Sequence, residues 1–198
     1  MARYPRTEVR SSCGGHGVFA VEPIAARSRI LRFGGAALDA LAIDSAARGG
    51  GHDDYLQIGE GLYLGQSGTA DDFINHACAP NTFVRVTTRG VYLVALDDIA
   101  ADAELTFDYG VTQVGFPFRF RCLCGAADCR GEIGNYDEIP PAVMARYRAA
   151  GAIPPHVATR LFGRVERSAR RSRARAAHEH EAEIVGLAGC TGRDLQHA

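Results

Sequence analysis

The sequence predicts a mainly β fold with some α, and three observations carry that expectation. Short β-branched runs punctuated by glycine and proline fill the first two thirds of the chain, and from Pro140 the pattern changes to helix formers. Of the 198 residues, 46% are hydrophobic and 23% charged, close to the globular average, so the chain can bury a core. Taken in order, residues 16–34 alternate apolar runs with a proline and an alanine-rich break, which reads as two strands and a connection. Tyr55 to Ile58 is a short strand inside the glycine-rich, acidic stretch 49–61. Thr82 to Ile99 is a hairpin whose two β-branched runs turn at Arg89-Gly90, and Glu104 to Tyr109 gives one more strand. Ala142 to Ala150 and Val157 to Arg175 are the predicted helices, separated by Pro154-Pro155. In the second helix Val157, Leu161, Phe162 and Val165 share an apolar face, and beyond Arg167 the tail is read as solvated.

Charge is unevenly distributed. Residues 35–110 hold twelve acidic residues against Arg48, Arg85 and Arg89, whereas residues 140–175 hold nine arginines against Glu166 alone. That contrast predicts an acidic face that attracts a basic partner, followed by a basic tail. Lysine is absent throughout, and the wealth of alanine, glycine and arginine reads as codon bias. Arginine content alone therefore argues little for nucleic-acid binding. No apolar run reaches the length of a membrane span, and no apolar stretch follows the N-terminal arginines. A cytoplasmic location is expected, or a nuclear one in a eukaryote.

Three of the six cysteines fall in Cys122-Leu-Cys124-Gly-Ala-Ala-Asp-Cys129. In a reducing compartment such crowding points to metal rather than disulfides. A closed tetrahedral zinc site needs a fourth ligand, and Cys13, Cys78 and Cys190 are the candidates. Three further patterns stand out: Gly15-His16-Gly17 just ahead of a strand, Asn75-His76-Ala77-Cys78-Ala79-Pro80-Asn81, and Glu104-Leu105-Thr106-Phe107-Asp108-Tyr109-Gly110. Singly, each has a plain structural reading: a tight turn, a polar loop, and a buried tyrosine satisfied by a backbone carbonyl.

In this order the four patterns resemble the SET-domain protein lysine methyltransferases followed by a post-SET zinc motif, over about Cys13 to Gly131. The resemblance implies a β-clip-like pseudoknot fold of short sheets, with a post-SET zinc loop and a C-terminal helical extension. It implies an N-terminal segment at 1–12, the SET domain at 13–115, the post-SET motif at 116–134, the helical extension at 135–166 and the tail at 167–198. The activity it implies is methyl transfer from S-adenosylmethionine to lysine in a basic protein or peptide. By position, Gly15, His16 and Gly17 resemble the main-chain contact to the cofactor's amino-acid end. Asn75 and His76 resemble the pair holding its amino group and adenine edge, and Leu123 joins the cofactor set. Tyr109 resembles the tyrosine tied to turnover, Tyr55 the one facing the amine from the other side, and Phe107 the residue that limits methyl number. Among the three candidate ligands, the resemblance selects Cys78 to complete Cys122, Cys124 and Cys129 around structural zinc.

Some positions depart from that pattern. Ahead of the Asn-His pair many members carry Arg-Phe, whereas this chain reads Asp71-Asp72-Phe73-Ile74, and the usual serine after Asn-His is Ala77. No cysteine array precedes Cys13, so the helices after Pro140 are expected to supply packing surface. Two other readings are a catalytically silent module that binds basic peptides, and a nucleic-acid contact through Arg160 to Arg175. Cys13, Cys190, His178 and His180 receive no assignment.

Overall fold

Strand β9 (Gly90–Ala95) is the centre of the fold, because both of its faces are buried. Val91, Leu93 and Ala95 point into one apolar cluster, and Tyr92 and Val94 into another. This is the period-two alternation of a strand covered on both sides. The computed structural model describes residues 4–13, 15–43, 55–115, 118–161 and 163. Two compact units divide it, Met1–Val157 and Ala158–Ala198, and every site discussed below lies in the first.

Strands β3 (Arg29–Phe33) and β8 (Thr82–Thr87) flank β9 in an antiparallel three-stranded sheet. Thr87 pairs with Gly90, so the β8–β9 hairpin turns through Thr88-Arg89, one residue earlier than expected. A bulge between Arg29 and Leu31 lets Ile30 and Leu31 both pack against the first cluster. A second antiparallel sheet has the order β4 (Ala37–Asp39), β6 (Leu62–Leu64), β5 (Leu56–Gly59). The N-terminal segment, residues 1–12, is assigned no element from the sequence alone. Its residues Thr7–Ser12 form β1, antiparallel to β2 (Gly15–Ala20), so the Gly15–Gly17 stretch opens a strand instead of preceding one.

The expected Glu104–Tyr109 strand shrinks to β10 (Thr106–Phe107), which runs parallel to β7 (Asn75–His76). Asn81 explains why the strand is short: its side-chain carbonyl accepts from Thr106 N at 3.0 Å and its amide donates to Glu104 O at 2.8 Å. These side-chain bonds take the place of a longer ladder. The last pair is β11 (Phe120–Arg121) with β12 (Glu132–Ile133), which brackets the cysteine loop.

Helix α1 (Pro141–Ala149) begins with a proline in its first turn, where a missing N–H costs nothing. It buries Tyr147 against Phe83, Tyr92, Val94 and Leu96, and so covers part of the second face of the central sheet. The extension thus supplies packing surface to the sheet. Residues 155–161 are also helical. The remainder of the expected second helix, with Phe162 and Val165, lies outside the described residues, as do Cys190, His178 and His180. No helix among the described residues is long and apolar enough to cross a membrane.

Tyr147 also donates its hydroxyl to Asp108 Oδ2 at 3.0 Å, tying α1 to the core. Burial, reinforced by the neighbouring Asp108, pushes the Tyr147 phenol above its ordinary range, so it remains a donor. Tyr147→Phe deprives a buried carboxylate of one donor and is expected to lower stability by about 1–3 kcal/mol in urea denaturation.

Candidate functional site

The parallel pairing of β7 with β10 places Thr106 opposite Asn75 and Phe107 opposite His76. Tyr109 then enters a short 3₁₀ turn (Tyr109–Thr112), capped by the Asp108 carboxylate, which accepts from Gly110 N at 3.1 Å. Two motifs about thirty residues apart in sequence are therefore neighbours. Tyr109 N donates to His76 Nδ1 at 3.1 Å, so the imidazole proton sits on Nε2, 3.5 Å from Cys78 Sγ. Burial pushes His76 down to about 4, with the Arg130 charge adding to the effect, and the ring is neutral at physiological pH. Ala77 contributes its backbone N–H, donated to Phe107 O at 3.2 Å, a bond that needs no side-chain hydroxyl.

A cavity of about 330 Å³ opens beside this junction. Tyr55, Phe107 and Tyr109 all line it, together with Phe33 and Phe120. Phe107 and Tyr109 lie with ring centroids 4.8 Å apart, and Phe120 meets both Tyr109 (5.8 Å) and His76 (5.3 Å). Phe120 was not foreseen; the only sequence signal was an aromatic residue two places before Cys122. The Tyr109 hydroxyl donates to Ile74 O at 2.6 Å. Its proton is thus committed to the backbone, and its oxygen acts in the cavity as an acceptor.

Asp71 and Asp72 also line the cavity. Asp71 accepts from Gly34 N at 2.8 Å, Ser67 Oγ at 2.7 Å and Thr69 Oγ1. Burial alone would raise its pKa, but these donors outweigh it and hold Asp71 below the usual carboxylate range, so it stays anionic. Asp72 accepts from Ser67 N and Gly68 N and so closes the loop ahead of Asn75.

On the other side of β7, the Asn75 amide donates to His16 O at 2.8 Å and to Glu104 Oε1 at 2.7 Å. Both N–H bonds meet acceptors, so the amide orientation is fixed and Oδ1 is left to accept from a cationic ligand group. Glu104 also accepts from Ser12 Oγ at 2.9 Å, which links β1 to the same cluster. Gly17 leaves no room for a side chain while Glu104 stays in place: a Cβ on it would lie 2.2 Å from Glu104 Oε1. His16 packs edge-on against Phe73, with centroids 5.6 Å apart. Leu123 stands apart from these groups, 76% exposed at the tip of the cysteine loop.

The sulfurs of Cys78, Cys122, Cys124 and Cys129 all lie within 4.8 Å of one another, and Cys78 and Cys122 are 3.8 Å apart. A tetrahedral zinc with ~2.3 Å bonds needs sulfurs ~3.8 Å apart, so the donor set fits that ion. Backbone N–H groups of Cys78, Cys124 and Arg130 point at the sulfurs at 3.3–3.5 Å. Burial pushes the Cys78 and Cys122 thiols up, whereas N–H donation outweighs burial at Cys124 and brings it to about 7. Four thiolates together need a dication. Cys13 is exposed and outside the cluster, and Cys190 lies beyond the described residues.

Arg130 joins this centre to the motif. It donates from Nε to Cys78 Sγ at 3.5 Å and from Nη2 to Asp108 Oδ1 at 2.6 Å. Burial pushes the Asp108 carboxyl up, but Arg130, Tyr147 and Gly110 N supply the donors that suit the ionised form.

Residues 15–110, which hold the β7–β10 junction and Tyr109, match the SET domain family model. The chain is 31% identical over 144 residues to a "Histone-lysine N-methyltransferase, H3 lysine-4 specific" of Candida albicans, covering 64% of this chain and 13% of the relative. It is 30% identical over 143 residues to "Histone-lysine N-methyltransferase SETD1A" of Homo sapiens, covering 63% and 8%. The chain therefore spans a small part of the length of the curated relatives it matches. Among solved structures, it resembles KRYPTONITE in complex with mCHH DNA, an H3(1-15) peptide and SAH, with a TM-score of 0.54 and 26% identity. That match covers 67% of this chain and 30% of the other.

Gly17→Ala is expected to push Glu104 off Asn75 and Ser12. The resulting loss of about 1–3 kcal/mol should appear as a lowered midpoint in thermal or urea unfolding. An unchanged midpoint would show that Glu104 has room to move.

Proposed function

We propose that the chain is an S-adenosylmethionine-dependent protein lysine N-methyltransferase acting on a basic protein or peptide. The observation that carries this reading is the convergence of Tyr55, Phe107 and Tyr109 on one cavity, next to the Asn75-His76 strand. S-adenosylmethionine supplies the electrophile, a sulfonium methyl group. Asn75 Oδ1, held by His16 O and Glu104, accepts from the cofactor's α-ammonium, and the neutral His76 ring flanks the adenine edge. Leu123 is an exposed apolar side chain at the loop tip, suited to cover that ring.

The remaining work is alignment and desolvation. Asp71 and Asp72 attract a cationic side chain to the cavity. Inside it the walls of Phe33, Phe107 and Phe120 disfavour the ammonium form, whose free pKa is ~10.4, so the amine sheds its proton to solvent as it enters. The Tyr109 oxygen accepts from the remaining amine N–H and turns the lone pair toward the methyl group. Tyr55 bounds the opposite side. Phe107 has no hydroxyl to restrain rotation of a methylated amine, and this supports a di- or trimethyl product.

The four cysteines hold structural zinc. By fixing the loop that carries Phe120 and Arg130, the zinc site keeps the cavity wall and the Asp108 clamp in place. The reduced protein is expected to contain one zinc per chain by elemental analysis, and Cys122→Ser to lose it along with cofactor affinity.

The direct test is mass spectrometry of lysine-rich basic proteins incubated with the full chain and S-adenosylmethionine. Tyr109→Phe should retain cofactor binding while kcat falls about 100-fold, the scale of a small misplacement of reacting groups. Undiminished turnover in that variant rules out the role given to the hydroxyl. Phe107→Tyr should shift the product toward monomethyl lysine by several-fold, since one hydrogen bond contributes about 1 kcal/mol.

A further inference from the structure

The second face of the central sheet, beside the part that α1 covers, carries a row of arginines that methyl transfer does not use. Arg32 and Arg85 are the cross-strand partners of Tyr92 on its two sides, and Arg29 is the partner of Val94. The bulge at Ile30 keeps Arg29 and Arg32 outward while Ile30, Leu31 and Phe33 face the core. Arg27 joins the group at one end and Arg89, in the hairpin turn, at the other. The Arg32 guanidinium lies across Gly90, with Nε 2.8 Å from the position a Cβ would take.

Two of these guanidiniums rest on aromatic rings, Arg29 over Tyr92 at 4.6 Å and Arg85 over Phe83 at 5.1 Å. A ring beneath a guanidinium holds it flat and in place. Among the described residues none of the five makes an ion pair, whereas Arg6, Arg10, Arg119, Arg130 and Arg146 all do. Arg27 is engaged only with a backbone carbonyl, that of Ala150. The charges act on one another: burial, then the positive fields of Arg27 and Arg29, push Arg85 below its ordinary value. The arginine stems shield Tyr92 and Phe83, but shielding requires no charge. Five neighbouring cations without a carboxylate remain to be explained.

We propose that this face, formed by Arg27, Arg29, Arg32, Arg85 and Arg89, binds the phosphate backbone of a nucleic acid. Guanidinium forks match phosphate oxygens two at a time, and a row of them matches a polymer with closely spaced negative charges. Protein–protein interfaces are depleted in charge at their centre, whereas nucleic-acid interfaces are strongly positive, so an acidic protein is the weaker fit. Contacts of this kind go to phosphate and carry no sequence information, so the binding is independent of sequence. The arginine-rich segment after Arg160 belongs to the other unit.

The test is fluorescence anisotropy of the full chain with labelled mixed-sequence duplex DNA and duplex RNA, from about 50 to 200 mM salt. The variant Arg29→Gln, Arg32→Gln, Arg85→Gln keeps most of each stem and removes the charge. Binding at ~100 mM salt should weaken by roughly 10- to 100-fold, and the slope of log K against log salt should flatten by about 2–3. Circular dichroism and unchanged methylation of a free peptide would show the fold intact. Three results would each overturn the proposal. One is wild-type affinity and slope in the triple variant. Another is loss of binding only when Arg167, Arg170, Arg171 and Arg173 are changed to Gln in the full chain. The third is polyglutamate binding as tightly as either duplex through the same three arginines. Whether DNA or RNA binds more tightly identifies the source of the phosphate backbone. Because binding is read without turnover, these outcomes are independent of the methyltransferase reading.

Discussion

Everything in the candidate site depends on a parallel strand pairing two residues long. Thr106 and Phe107 lie alongside Asn75 and His76, and this register sets which residue faces which side of the junction. A slip of one residue would exchange every side chain between the two faces of the strand. A two-residue ladder is too weak to hold a register unaided, and Asn81 and Thr82 reinforce it. Asn81 bonds the backbone on both sides of Leu105, and Thr82 donates its hydroxyl to Thr106 O at 2.7 Å. The motif's last asparagine is therefore the brace for its first two residues.

Asp108 adds a second constraint. It is almost completely buried, and the 3₁₀ turn that follows it, the cysteine loop and helix α1 each send it a donor, from Gly110 N, Arg130 and Tyr147. A buried carboxylate missing one donor is costly, whereas a fully satisfied one specifies a single arrangement. The cluster of four cysteines acts on the same point through Arg130, which touches both Cys78 and Asp108. Ordering the loop thus fixes the backbone immediately ahead of Tyr109, with no need for a cysteine to approach the cavity. The helix contributes through Tyr147, which makes it part of the folded unit rather than an appendage.

The sequence made the site legible where short patterns coincide with chemistry. The cysteine spacing implied a metal-binding cluster, though choosing among Cys13, Cys78 and Cys190 required the family resemblance. Tyr109, Phe107 and Tyr55 were legible as candidates, but not the Ile74 carbonyl that takes the Tyr109 proton, because no local pattern marks that acceptor. β1 was missed because its residues, Thr-Glu-Val-Arg-Ser-Ser, lack an apolar alternation; its register comes from pairing with β2. Phe120 was missed for a related reason. Its contacts with His76 and Tyr109 exist only once the cysteine loop folds back, and nothing in Phe-Arg-Phe-Arg reports that return.

Charge is where counting along the chain departs furthest from the structure. The acidic stretch suggested one negative face, yet among the described residues its carboxylates are largely occupied within the fold. Asp71 and Asp72 hold the loop ahead of Asn75, Glu104 holds Asn75, Asp108 holds Arg130, Asp98 accepts from Ala26 N, and Asp97 and Asp102 pair with Arg146 and Arg10. A carboxylate paired with a cation in this way projects less field than a free one. Attraction of a basic substrate then rests mainly on Asp71 and Asp72 at the cavity, whose partners are neutral N–H and hydroxyl donors that leave the negative charge uncancelled. The arginines show the opposite behaviour. Those on the second face of the central sheet are few in the sequence count and pass for background, but folding gathers them without a carboxylate among them. Net charge near zero is thus compatible with two separate surfaces of opposite sign, because pairing decides which charges reach solvent.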